Sequence, residues 1–153
     1  MIDEQTLLRF CDEALLAMRD LVVDLGDDLA NTRPDLPGAN SPYAILTHCL
    51  GVVGNWASTV NLGEVVPRDR DAEFTASGPA AGLAAETDLI RSSLEEWVGR
   101  STPQSPPANL AGDGVDWFAA TQGGVLLHVY EELAQHRGQM EVTRDVLLAR
   151  LRP

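Results

Sequence analysis

Lysine is absent from this chain: its eleven basic residues are all arginine, set against 23 acidic ones for a net charge of -12. An acidic excess of that size opposes approach to phosphate backbones and anionic lipid headgroups, so nucleic acid and membrane surfaces are poor partners. The arginine-only basic set reads as the coding bias of a GC-rich genome and says nothing about fold. No apolar run approaches the roughly 20 residues of a membrane span. The opening MIDEQTLLRF carries acid where a secretion signal needs a basic region, which leads to the expectation of a cytoplasmic protein. Cysteine is scarce as well. Cys11 and Cys49 have no CxxC spacing and both fall in apolar helical patterns, so they read as small core residues in a reducing compartment. No strand pattern and no internal repeat is present.

The chain has 153 residues, 44% of them hydrophobic, enough for one domain spanning 1–153 to bury a core without disulfides or structural zinc. Apolar residues recur at helical spacing in four segments, near 3–26, 42–62, 79–98 and 122–150, which predicts an all-α four-helix bundle. The first carries Leu7, Leu8, Cys11, Leu15, Met18, Val22 and Leu25 on one side and is expected to stop near Gly26. Ser41 followed by Pro42 reads as an N-cap with proline in the first turn, and Thr121 as the cap of the last helix, despite Gly123 and Gly124 in its first turn. Between the helices lie DDLANTRPDLPGANS (27–41), a loop containing PRDRDAEFTASG, and a long Pro/Gly/Ser stretch over 99–120 that includes Trp117 and Phe118. A loop as long as the last is more often functional than incidental.

Glu132 and His136 are four residues apart, so on a helix they stack on one face and can reach a single ion. Val125, Val129, Leu133 and Met140 lie on the same stripe, which sets a carboxylate and an imidazole among core residues. His48 follows Ile45 by three and precedes Val52 by four, so it should point inward from the second helix. An unpaired buried carboxylate is costly, and a metal ion would remove the conflict. His48, Glu132 and His136 are thus a candidate two-histidine, one-carboxylate metal site with a coordination position to spare. An ExxxH pair is also frequent on ordinary helices, where the acid is solvated and the histidine hydrogen-bonded. His128, about 12 Å along the axis from His136, cannot easily share the same ion. It reads as a core histidine, with pocket lining, support of Glu132 or acid–base catalysis as its alternatives. Gln139, three residues after His136, is expected to face solvent, with support of the site as its alternative.

The runs HVYEELAQHRGQMEVTRDVLL, NSPYAILTHCLGVVGNW and VPRDRDAEF resemble the DinB-like metalloprotein superfamily, and within it the mycothiol-dependent branch. The resemblance spans essentially the whole chain. It implies a four-helix bundle with a divalent metal on His48, Glu132 and His136. Glu132 stands where many members have histidine, as in the mycothiol-dependent maleylpyruvate isomerases. The implied ion is zinc, with nickel, iron or manganese as alternatives, and the implied co-substrate is mycothiol, in a homodimer. A metal-bound thiol is deprotonated, so the expected reaction is transfer of that thiol to a small electrophile. The C-terminal extension of the isomerase proper is missing, which favours a general S-transferase. A metal-dependent hydrolase and a non-catalytic metal-binding stress or interaction protein remain as alternatives.

If consecutive helices run antiparallel, the starts of the second and fourth share one end, with 27–41 and 99–120 bordering the site and Trp117 or Phe118 in a lid or pocket wall. On that geometry Arg68 and Arg70 lie at the far end, in a local salt-bridge network with the neighbouring acids.

Overall fold

The computed structural model describes residues 3–109 and 117–150. Part of the 99–120 stretch, residues 110–116, lies outside them. Four long helices dominate: α1 (Glu4–Ala30), α2 (Pro42–Val53), α4 (Ala80–Arg100) and α5 (Gln122–Ala149), with a single-turn α3 (Arg70–Glu73) between α2 and α4. The fold is all-α. Among the described residues no helix is long and apolar enough to cross a membrane.

Local chemistry sets most of the helix ends. Asp3 caps α1 by accepting from Thr6 N at 2.8 Å, and Ser41 caps α2 by accepting from Ala44 N at 3.2 Å, with Pro42 in the first turn. Thr121 does the same for α5 through Gly124 N at 3.1 Å. Gly124 is tolerated there because a Cβ would fall on the Phe118 carbonyl. Two boundaries differ from expectation. Gly26 adopts φ 68°, a left-handed conformation that breaks α1, but the chain resumes helix to Ala30. That extra turn brings Asp27 to the start of α4, where its carboxylate accepts from Ala80 N at 2.8 Å. The second predicted helix changes character midway, since Gly54–Val60 is a π-helix rather than a continuation of α2.

Side-chain pairings reveal the topology. Arg91 bonds Asp12 and Arg19 bonds Asp88, so α1 and α4 are antiparallel. His48 lies against His136 while Trp56 lies against His128, so α2 and α5 are antiparallel too. Tyr43 packs near Gly78 at the start of α4 and Asn61 bonds Ser101 at its end, so α2 and α4 run parallel. The order is up-down-down-up, not the alternating arrangement expected. Two parallel neighbours need a connection that travels the length of the bundle, and residues 62–79 supply it. They run back along α2: Ser58 bonds the Glu64 carbonyl, Val66 fills the space beside Gly54, and Glu73 reaches His48.

Leu15, Met18 and Val22 of α1 interdigitate with Leu46, Cys49 and Val53 of α2, Leu83 and Leu94 of α4, and Val129, Leu133 and Met140 of α5. Leu7, Leu8 and Leu25 lie only at its margin. Each fully buried aliphatic side chain contributes about 1.5–3 kcal/mol. Both cysteines are in this core as free thiols.

Candidate metal centre

α5 presents Glu132 and His136 one turn apart, and α2 presents the buried His48 opposite them. Oε2 of Glu132 lies 3.4 Å from His136 Nε2 and 4.0 Å from His48 Nε2. One potential ligand atom from each of the three falls within 4.8 Å of the others. Atoms held tetrahedrally at zinc–nitrogen or zinc–oxygen distance stand about 3.4 Å apart, so small side-chain movements suffice for all three to share an ion. The set fits a divalent cation chemically, with two imidazole nitrogens and one carboxylate. Its opening is on the solvent side: Glu132 and His136 are partly exposed, and His48 forms the floor.

The far nitrogen of each histidine is occupied. His48 Nδ1 lies 2.8 Å from Glu73 Oε2, and His136 Nδ1 lies 2.8 Å from Gln139 Oε1. A carboxylate or an amide oxygen accepts and does not donate, so each Nδ1 carries a proton, and it is each Nε2 that faces Glu132 and would be free to bind an ion from the neutral ring. Arg68 Nη2 is 3.5 Å from His48 Nδ1, but it donates to Glu73 Oε2 at 3.0 Å, the shorter contact. Burial pushes the His48 pKa down, against the opposing pull of its bond to Glu73, and the nearby His136 and Arg68 lower it further. Its neutral form is therefore favoured.

Several expectations need correction. Arg68 is not remote from the cluster, because the crossover carries it back to the level of His48; its partner Glu73 belongs to the same PRDRDAEF run, so the local ion pair is as expected and only its place in the fold is not. Gln139 is exposed, as expected, yet it bonds His136. His128 is no simple core residue. Its ring stacks on Phe118 with centroids 3.9 Å apart and meets the edge of Trp56, while Nδ1 contacts Glu131 at 3.2 Å and Nε2 lies 3.7 Å from Glu132 Oε1. Segment 27–41 reaches toward the cluster through Arg33, which donates to the Phe74 carbonyl. Of the 99–120 stretch, Trp117 is 85% exposed and Phe118 walls an apolar groove with Leu127 and His128.

Glu73, Phe74 and Gly51 were missed from sequence. Phe74 stacks on the His48 ring with centroids 4.9 Å apart. The available signal was that VPRDRDAEF is one of the runs that carry the family resemblance, and that Gly51 follows His48 by three residues on the same helix face.

An all-helical bundle with two crossed helices offering two histidines and a glutamate to a shared point belongs among the DinB-like proteins. The mycothiol-S-transferase family matches residues 6–148, and the chain belongs to that family. Comparison with curated proteins gives no match.

Proposed function

We propose that this protein is a metal-dependent S-transferase that moves the sulfur of mycothiol onto a small electrophile, with His48, Glu132 and His136 as the metal ligands. The observation that carries the reading is the convergence of two Nε2 atoms and one carboxylate oxygen at the open side of a buried floor. A divalent ion held there retains about one net positive charge beside Glu132 and lowers the pKa of an incoming thiol, so that the sulfur is nucleophilic near neutral pH.

The chain's own residues account for the rest. His48 remains neutral and stays a ligand because it is buried. Neither cysteine can serve as nucleophile: burial pushes the Cys11 thiol up to about 12 and raises that of Cys49. The sulfur that reacts must therefore come from outside, which supports a small thiol as co-substrate. The groove bounded by Phe118, Leu127 and His128 offers an apolar surface for the electrophile's carbon skeleton, and His128 links it to Glu132. Transfer forms one sulfur–carbon bond. The thiol proton passes to solvent, and a leaving group departs or, for an activated double bond, the neighbouring carbon takes up a proton. Zinc is the first ion to test, and a cytoplasmic homodimer is part of the same proposal.

The test supplies zinc-loaded protein with mycothiol and a panel of electrophiles, and follows adduct formation beside metal-free protein and Glu132→Gln. Adduct formation that depends on both the ion and Glu132 is expected. Equal turnover in all three samples removes the reading, and turnover without thiol replaces it with hydrolysis.

A further inference from the structure

We infer that Glu73 is the positioning residue of His48, held ready by Arg68 and admitted by Gly51. The inference rests on the metal-site reading above and adds to it a buried support that is not part of the ligand set.

Two consecutive residues grip one ring. Glu73 takes the Nδ1 edge at 2.8 Å, and Phe74 covers a face with centroids 4.9 Å apart. With the edge and a face held, rotation of the ring about its bond to the chain is blocked, and Nε2 has one direction left, toward Glu132. The carboxylate that does this is itself deep in the protein, its side chain 6% exposed. A buried carboxylate needs a countercharge, and Arg68 provides it in fork geometry, Nε to Oε1 at 2.6 Å and Nη2 to Oε2 at 3.0 Å. The α2 surface must also make room. A Cβ on Gly51 would coincide with the Glu73 carboxylate and stand 3.0 Å from Arg68 Nε, so only glycine lets the pair lie against the helix one turn past His48. A histidine ligand whose second nitrogen donates to a carboxylate is fixed in tautomer and made more basic, and loss of such a partner weakens metal affinity about 10–100-fold.

The experiment uses the full chain as wild type, Glu73→Gln, Glu73→Leu and Gly51→Ala. Two properties are read: the protonated ring nitrogen of His48 in metal-free protein, by nitrogen–proton correlation spectra under mildly alkaline conditions, and zinc affinity by competition with a chelator. In wild type the proton should sit on Nδ1. Gln retains an accepting oxygen and should keep that tautomer, whereas Leu should give a mixture. Zinc affinity should fall about 10–100-fold in Glu73→Leu and Gly51→Ala and less in Glu73→Gln. Gly51→Ala displaces the same carboxylate without removing it, while alanine itself favours helix, and the melting temperature of each variant reports general damage. A role limited to stapling the crossover to α2 would lower the melting temperature and leave ring and affinity alone. An unchanged tautomer in Glu73→Leu, with zinc affinity within about twofold of wild type in every variant, overturns the inference. If wild type binds no zinc, the metal-site reading fails, and the ring spectra still decide the role of Glu73.

Discussion

Gln139 Oε1 lies 2.8 Å from His136 Nδ1, so an exposed amide on the last helix sets the proton of a ring whose other nitrogen faces Glu132. Because the bond is solvent-accessible, it is weaker than its buried counterpart at His48. Gln139→Leu should lower zinc affinity by a few-fold, toward the lower end of the roughly 10–100-fold typical of such partners. Chelator competition measures it. An affinity equal to wild type would show that water replaces the amide without loss.

Substitution of His128 offers a way to test ion binding apart from reaction. Its Nε2 stands 3.7 Å from Glu132, too far for a strong hydrogen bond, while its ring lies flat on Phe118 at the groove. His128→Phe preserves the aromatic packing and removes both polar contacts. The expected result is a zinc affinity near wild type and thiol transfer slowed by about tenfold or more, as for loss of an acid–base group. The reverse pattern would make His128 an orienter of Glu132 instead.

Leu133, which follows Glu132 on α5, is fully buried. Leu133→Ala removes core contacts shared by the helices and should cost about 2–5 kcal/mol. At about 2–4 °C per kcal/mol for a chain of this size, the melting temperature should drop by several degrees. Calorimetry on metal-free protein is the appropriate check, since a bound ion would mask part of the loss.

Cys11 and Cys49 should resist alkylation in the native protein and react once it is denatured, because both are buried in the core. Cys11 adds a pH dependence. Burial, and to a lesser extent the charge of Asp12, raises its thiol from an ordinary 9.0 to about 12. The folded chain then holds that proton where the unfolded chain releases it. This contribution to stability is intact below pH 9.0 and declines as pH rises toward about 12. Denaturant titrations across that window should show a slope that Cys11→Ala reduces.

What could be read from sequence was local. The spacing of Glu132 and His136, the caps at Ser41 and Thr121, and the apolar stripe from Val125 to Met140 each depend on residues within a turn or two of one another. Helical geometry converts such spacings directly into shared faces. The spacing of His48 from Ile45 and Val52 gave its inward face in the same way, and the family resemblance set it in one ligand set with Glu132 and His136 across the bundle.

Arg68, Glu73 and Gly51 were out of reach for a different reason. Their meeting depends on whether the chain after α2 turns back at once or travels the length of the bundle first, and both routes suit the same four amphipathic segments. The sequence by itself determined the four helical segments, the caps at Ser41 and Thr121 and the i, i+4 carboxylate–imidazole pair, because those follow from short-range steric and hydrogen-bonding rules. Only the tertiary structure decided that α2 and α4 run parallel. That choice lays the 62–79 crossover along α2 and brings a buried ion pair from a charged loop to the back of His48.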